Sequence, residues 1–240
     1  MRLTQHKILS FDCYGTLIDW ETGIINGLSP LASRSNHPLS EDQILEAHAY
    51  HESSQQRATP GMVYTKLLAV VHRRLAEDWN VPTRWEESLS YGESAGDWPA
   101  FGDSADSLKS LSSRFKLAIL SNVDNRTFAR SVQKLGVSFD AVFTAEDIGS
   151  YKPSTGNFTY MLDHLRRRGF SHSDILHVAE SLFHDHVPAK QAGLHNCWIH
   201  RRRGKAGFGA AASPAEIPET DFVFSSLREL AEACESEGSV

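Results

Sequence analysis

The sequence predicts an α/β fold built on a parallel sheet, and three observations predict it. Short apolar runs bounded by turn residues recur along the chain, helix-period segments lie between them, and one long stretch breaks the alternation with consecutive helical patterns. Residues 7–11 (KILSF) read as a first buried strand. The break follows: helix-like patterns run over 21–32, 40–56, 60–79 and 85–91, predicting a helical insert after that strand. Residues 116–120 (KLAIL) resume the strands. Residues 125–135 carry apolar positions at helical spacing, with Gly136 as a C-terminal cap. A strand over 141–144 (AVFT) leads to a helix over 157–168. Arg166, Arg167 and Arg168 lie in its last turn, where cations suit the helix dipole, and Gly169 follows. Residues 175–179 (ILHVA) form the next strand, 185–192 a helix closed by Gly193, and 196–199 (NCWI) another strand. A loop rich in Gly, Ala and Pro over 204–220 separates it from a last strand over 221–224 (DFVF).

The chain has 240 residues, enough for a core domain carrying a smaller inserted one. A net charge of −6 argues against a general nucleic-acid binder. The basic run at 201–205 (RRRGK) reads as a solvated loop. Cys13, Cys197 and Cys234 are odd in number and widely spaced, so neither a disulfide framework nor a cysteine metal site is expected. The N-terminus reads as a strand, not a signal peptide, and no stretch nears the roughly 18 apolar residues of a membrane span, so a cytoplasmic protein is expected.

In a parallel sheet, ligands bind at the carboxyl ends of the strands. Four segments follow strands there: 12–16, Ser121 with Asn122, the stretch reaching Lys152, and 180–185. Asp12, in Asp-Cys-Tyr-Gly-Thr-Leu, is a candidate nucleophile if something holds it ionised, and Gly15 permits a tight reversal. Ser121 and Asn122 suit an anion, and Glu180 with Asp185 suits Mg²⁺. Taken singly, these segments read equally as turns, helix caps or surface charge. Their order and shared position at strand ends are what is specific.

On these residues the sequence resembles the haloacid dehalogenase superfamily. Asp12 matches its nucleophile, Ser121 its second-loop hydroxyl, Lys152 its lysine and Asp185 its fourth-loop acid. The resemblance implies a Rossmann-like, doubly wound core over residues 1–19 and 97–240, with a helical cap domain over 20–96 and the active site in the cleft between them. Superfamily phosphatases carry a second Asp two residues after the nucleophile. This chain has Tyr14, and Phe-Asp-x-Tyr-Gly-Thr-Leu-x-Asp resembles the type II 2-haloacid dehalogenase branch. The branch implies attack on saturated carbon, an ester intermediate, no cofactor and, often, a homodimer.

Two departures bear on the substrate. Glu180 stands where that branch has serine, and Phe158 where it has tyrosine. A haloacid anion near Glu180 at about 4 Å would be repelled by roughly 4 kcal/mol under surface-like screening. Glu180 therefore needs a cation: Lys152, Mg²⁺ or the substrate itself. The chain as a whole, including residues 177–191, is similar to superfamily members that open azetidine-2-carboxylate, a strained cyclic secondary amine, to 2-amino-4-hydroxybutyrate.

The expected roles follow. Asp12 attacks, Lys152 keeps it ionised, Ser121 holds the substrate carboxylate, and Asp185 and Asn122 position water. Tyr14, Thr16, Trp20, Phe158, Glu180 and His184 contact the substrate, with Glu180 or His184 balancing the amine. The alternatives are a 2-haloacid dehalogenase and a Mg²⁺-dependent phosphatase, the latter with Asp12, Glu180 and Asp185 as ligands. His48, His51 and His72 are expected to be ordinary surface or interface residues. His184 and His186, on either side of Asp185, are not expected to bind metal together.

Overall fold

In the computed structural model, residues 1–238 are described. Strand β1 (Ile8–Phe11) is buried along its whole length, as expected for a parallel strand covered on both faces. Helices α1 (Trp20–Ala32), α2 (Glu41–Ala58), α3 (Tyr64–Asp78) and α4 (Trp85–Ser94) then follow without an intervening strand. The start of α2 is fixed by a capping box: Gln43 N donates to Ser40 Oγ at 3.3 Å, and Ser40 N to Gln43 Oε1 at 2.9 Å. Close approach of α3 and α4 requires Gly92, since a Cβ there would lie 2.1 Å from the Thr65 carbonyl.

The sheet resumes after α5 (Ser104–Ser112) with β2 (Lys116–Ser121), α6 (Asn125–Leu135), β3 (Ala141–Thr144), α7 (Ala145–Ile148) and α8 (Thr155–Arg167). It is completed by β4 (Ile175–Ala179), α9 (Val187–Gln191), β5 (His195–Ile199), β6 (Phe222–Phe224) and α10 (Leu227–Gly238). All neighbours are parallel, in the order β3-β2-β1-β4-β5-β6. The chain switches direction across the sheet beside β1, so the crevice at the carboxyl end of β1 is the natural ligand site. Alternation along β1 feeds two cores. Leu9 and Phe11 belong to the hydrophobic cluster that also takes in residues of α1, α3, α5 and α10, while Ile8 belongs to a second cluster with Phe143, Phe158 and Met161.

Every expected strand forms to within one residue at either end, and α6 matches its expected span, with Gly136 left-handed at φ 67°. Several expectations fail. The helix over 185–192 is instead one π-helical turn (Leu182–His186) running into α9. The basic run is not a solvated loop throughout. Arg201 bonds the Thr16 carbonyl and both oxygens of Asp103. Arg202 is buried against Glu21 at 2.7 Å and Asp42 at 3.3 Å. Charge alone cannot reveal such pairing, because the acidic partners Asp103, Glu21 and Asp42 lie far away in sequence. His48, His51 and His72 are buried among α2, α3 and α4, not at the surface. The three cysteines are buried and free. Among the described residues, no helix is long and apolar enough to cross a membrane.

Candidate active site

Asp12 is the first residue beyond β1. Its N–H donates to the Val178 carbonyl at 3.0 Å, extending the β1–β4 ladder by one rung and fixing where the side chain emerges. The chain then reverses at Gly15 (φ 94°), where a Cβ would stand 2.9 Å from the Trp20 indole nitrogen. Glycine is required there by both the conformation and the packing. Thr16 Oγ1 donates to Asp12 Oδ2 at 2.8 Å and accepts the Glu180 N–H at 2.9 Å. Thr16 is buried behind Asp12 and is not among the residues lining the cavity over it, where the expectation had placed it.

Lys152 is 1% exposed, and its ammonium makes three bonds: Asp12 Oδ1 at 2.8 Å, Asp185 Oδ1 at 2.6 Å and the Leu120 carbonyl at 2.9 Å. The loop bearing it is clamped to the end of β2. Lys152 N donates to Asn122 Oδ1 at 2.7 Å, and Asn122 Nδ2 donates to the Lys152 carbonyl at 3.0 Å. Asn122 thus holds the lysine loop instead of standing free to position water.

Asp185 sits in the π-helical turn, a widened geometry often found at functional sites. Its Oδ1 also meets His177 Nε2 at 2.9 Å, and His177 Nδ1 lies 2.9 Å from Ser10 Oγ. The network assigns the ring proton to Nε2. Ser10 and His177 are paired in register across β1 and β4. Sequence reasoning missed both. The available signal was a polar residue inside each of two otherwise apolar strands. Phe158 stacks edge-on against His177 at 5.1 Å within the second core. It supports the imidazole from behind and does not line the cavity, contrary to expectation.

The electrostatics follow from burial. Desolvation raises the Asp12 pKa and Asp185 adds to this, against the nearby Lys152 ammonium and the Thr16 hydrogen bond. Burial opposes the charge of Asp185 too, but Lys152 and His177 overcome it and hold that carboxyl well below the usual range. Lys152 resists its own desolvation through the two carboxylates and stays protonated. If Asp12 attacks as a carboxylate it must be ionised, so activity would be present above the Asp12 pKa and would be lost as pH falls through it. We expect the acid limb of kcat/KM to lie above the ordinary carboxylate value of about 4. A pH–rate profile that stayed flat below pH 4 would contradict this.

The cavity over Asp12 is lined from the core by Tyr14, Ser121, Ser181 and His184, and by Trp20 at the start of α1. From the helical insert come Glu52, Gln56 and Tyr64, which sequence reasoning did not single out. Three buried atoms of lining residues have no partner: Ser121 Oγ, His184 Nε2 and Asp185 Oδ2. Such atoms are costly unless a ligand or water engages them. His184 is neutral, its pKa lowered to about 4 by burial, and Ser181 Oγ meets its Nδ1 at 3.1 Å. The Tyr14 hydroxyl lies 2.6 Å from Ser131 Oγ, and burial pushes its pKa up. The cavity over Asp12 is small, about 30 Å³.

Glu180 is placed differently. It lines a separate cavity of about 580 Å³ with Glu21, Asp42, Arg201 and Arg202, on the other side of Trp20. Burial, then Glu21 and Asp12, raise its pKa to about 8. It is not among the residues lining the small cavity, where the expectation had placed it against the substrate. The magnesium set of Asp12, Glu180 and Asp185 does not gather either. Among the described residues, no three His, Cys, Asp or Glu side chains come together to hold a metal ion. His186 turns away from His184, its Nε2 lying 2.9 Å from the Ala179 carbonyl.

Comparison with known proteins bears on this site. A family model described as haloacid dehalogenase-like hydrolase matches residues 6–193. No curated protein matches the chain. Among solved structures, the L-2-haloacid dehalogenase of Xanthobacter autotrophicus with chloropropionic acid covalently bound superposes with a TM-score of 0.77. The two share 17% identity over 96% of this chain and 98% of that one. A defluorinating L-2-haloacid dehalogenase gives 0.78 at 16% identity, covering 98% and 99%. A protein described as a HAD-hydrolase, YfnB of Bacillus subtilis in a magnesium-bound form, gives 0.74 at 20% identity, covering 98% and 100%.

Proposed function

The chain belongs to the haloacid dehalogenase-like hydrolases, and from that premise we propose that it hydrolyses a small 2-substituted carboxylic acid through attack of Asp12 on saturated carbon. One observation carries the reading. Asp12 is held between Lys152 and Thr16 at 2.8 Å each, while the residue two positions on is Tyr14, whose hydroxyl is engaged by Ser131. No second carboxyl stands there to protonate an alkoxide, as phosphate-ester cleavage would need. Displacement at saturated carbon by a carboxylate needs only an aimed nucleophile and a competent leaving group.

The substrate we propose is L-azetidine-2-carboxylate, opened to 2-amino-4-hydroxybutyrate. The Ser121 hydroxyl is the donor available to the substrate carboxylate. Asp12 attacks the ring CH₂ beside nitrogen. The C–N pair goes to nitrogen, and Asp12 becomes an ester. Asp185 Oδ2 and His184 Nε2, both without a protein partner, then hold the water that cleaves the ester. One of that water's protons ends on the alcohol and the other on the amine. Leaving-group charge favours this over a halide. Among the described residues lining the cavity, Lys152 is the one cation, and it is already bound by two carboxylates. A departing halide would meet no positive charge on the insert side. Dehalogenation of a 2-haloacid is the second reading, favoured by the structural likeness to L-2-haloacid dehalogenases.

Turnover of L-azetidine-2-carboxylate and L-2-chloropropionate in EDTA tests both readings. We expect ring opening without added metal. Chloride release without ring opening would transfer the proposal to dehalogenation. Cleavage of p-nitrophenyl phosphate only after Mg²⁺ is restored would overturn both.

A further inference from the structure

Resting on the ring-opening reading, we infer that Glu52, carried into the cavity by α2, is the residue that binds the substrate's ring ammonium and sets the enzyme's preference for a cationic leaving group. Ring opening calls for an acceptor beside the departing nitrogen, and Glu180 is not among the residues lining the small cavity. Glu52 is one of them: it is 3% exposed and lines that cavity with Asp12 and His184.

Its surroundings leave its charge unmatched. From α3, the Tyr64 hydroxyl donates to Glu52 Oε1 at 2.9 Å. From its own helix, His48 Nδ1 stands 3.9 Å from Oε2, and His48 is neutral, its pKa lowered to about 3 by burial. Tyr91 of α4 and Tyr151 of the lysine loop are buried phenols whose pKa values are raised, first by burial and then by the charge of Glu52. Asp12 lies across the cavity, and the Lys152 ammonium is already held by Asp12 and Asp185. Burial accordingly raises the Glu52 pKa to about 7, with only the Tyr64 bond opposing it. A buried carboxylate without a cation is costly. A secondary ammonium from the substrate supplies the missing charge and two N–H donors. The arrangement sets the ring nitrogen on the insert side and the attacked carbon toward Asp12. Two protons are already on the ring nitrogen, so bond cleavage yields a neutral primary amine and Glu52 transfers no proton at that step.

The test uses Asp12→Asn, which cannot turn over, with and without Glu52→Gln. Both are titrated with L-azetidine-2-carboxylate and with cyclobutanecarboxylate, the same ring without nitrogen. Glutamine retains the oxygen that accepts from Tyr64, and a melting curve checks the fold. We expect Glu52→Gln to weaken azetidine-2-carboxylate binding by about 100-fold, as loss of one partner of a buried charge pair does. Cyclobutanecarboxylate binding is expected to hold or improve. The azetidine affinity should rise as pH increases through 7, where Glu52 ionises, and this dependence should vanish in Glu52→Gln. Equal azetidine binding with and without Glu52 overturns the inference, even if the wild-type enzyme opens the ring. Glu52-dependent binding without wild-type turnover overturns the ring-opening reading and leaves Glu52 as an ammonium site. Absence of binding to Asp12→Asn overturns the inference as well.

Discussion

Asp12→Asn is expected to lower kcat by at least about 10⁴-fold while leaving the protein folded, because the amide lacks the charge that the proposed attack requires. The fold should tolerate the change for an electrostatic reason. Asp12 and Asp185 share one buried ammonium, so the cluster carries one negative charge in excess. Asparagine removes that excess. Its Oδ1 still accepts from Lys152, and its Nδ2 faces the Thr16 hydroxyl, which can rotate to accept. The melting temperature should therefore be unchanged or higher, and Asp185 remains paired with Lys152 and His177. Steady-state kinetics with a thermal melt measure both quantities. Residual turnover within 100-fold of wild type would show that a group other than Asp12 attacks.

The parts of this molecule written in local patterns were legible, and those made by distant pairing were not. The run ILHVA announces β4 by its burial on both faces, and Gly136 closes α6 because a left-handed residue is needed there. The strand-end rule brought Asp12, Ser121, Lys152 and Asp185 to one crevice without any coordinate. The insert was different. Amphipathic periodicity says that α2 is a helix, but not which of its polar residues turns inward. Glu52, His48 and His51 are all buried there. Glu180 was misread for a related reason. It shares the 180–185 segment with Asp185, yet its backbone is held by Thr16 and Trp198, and its side chain lines the cavity with Glu21 and Arg202. Adjacency in a loop fixes the backbone position and leaves the side chain's facing undetermined.

Lys152→Met should combine a large loss of activity with a pH-dependent loss of stability. Methionine fills similar space but removes all three bonds of the ammonium and leaves Asp12 and Asp185 facing each other in a buried site. Breaking a buried ion pair by deleting one partner typically costs about 3–5 kcal/mol, a large fraction of the roughly 5–15 kcal/mol that stabilises a domain. Two close carboxylates without a cation cannot both ionise readily, so one folded-state pKa rises above its unfolded value. The sign is then fixed. A group with a raised folded pKa favours the folded state at low pH, and that advantage is lost as pH rises through the folded pKa. The deficit of Lys152→Met relative to wild type should therefore be small near pH 5 and should grow toward pH 8. Activity should fall by about 10²–10³-fold at neutral pH, since the preorganised charge that keeps Asp12 ionised is gone. Partial recovery at higher pH is expected as Asp12 regains its charge. Denaturant unfolding at several pH values, beside a pH–rate profile, reads both effects. A variant that unfolds like wild type across this range would mean that the two carboxylates do not depend on the Lys152 ammonium for their place in the fold.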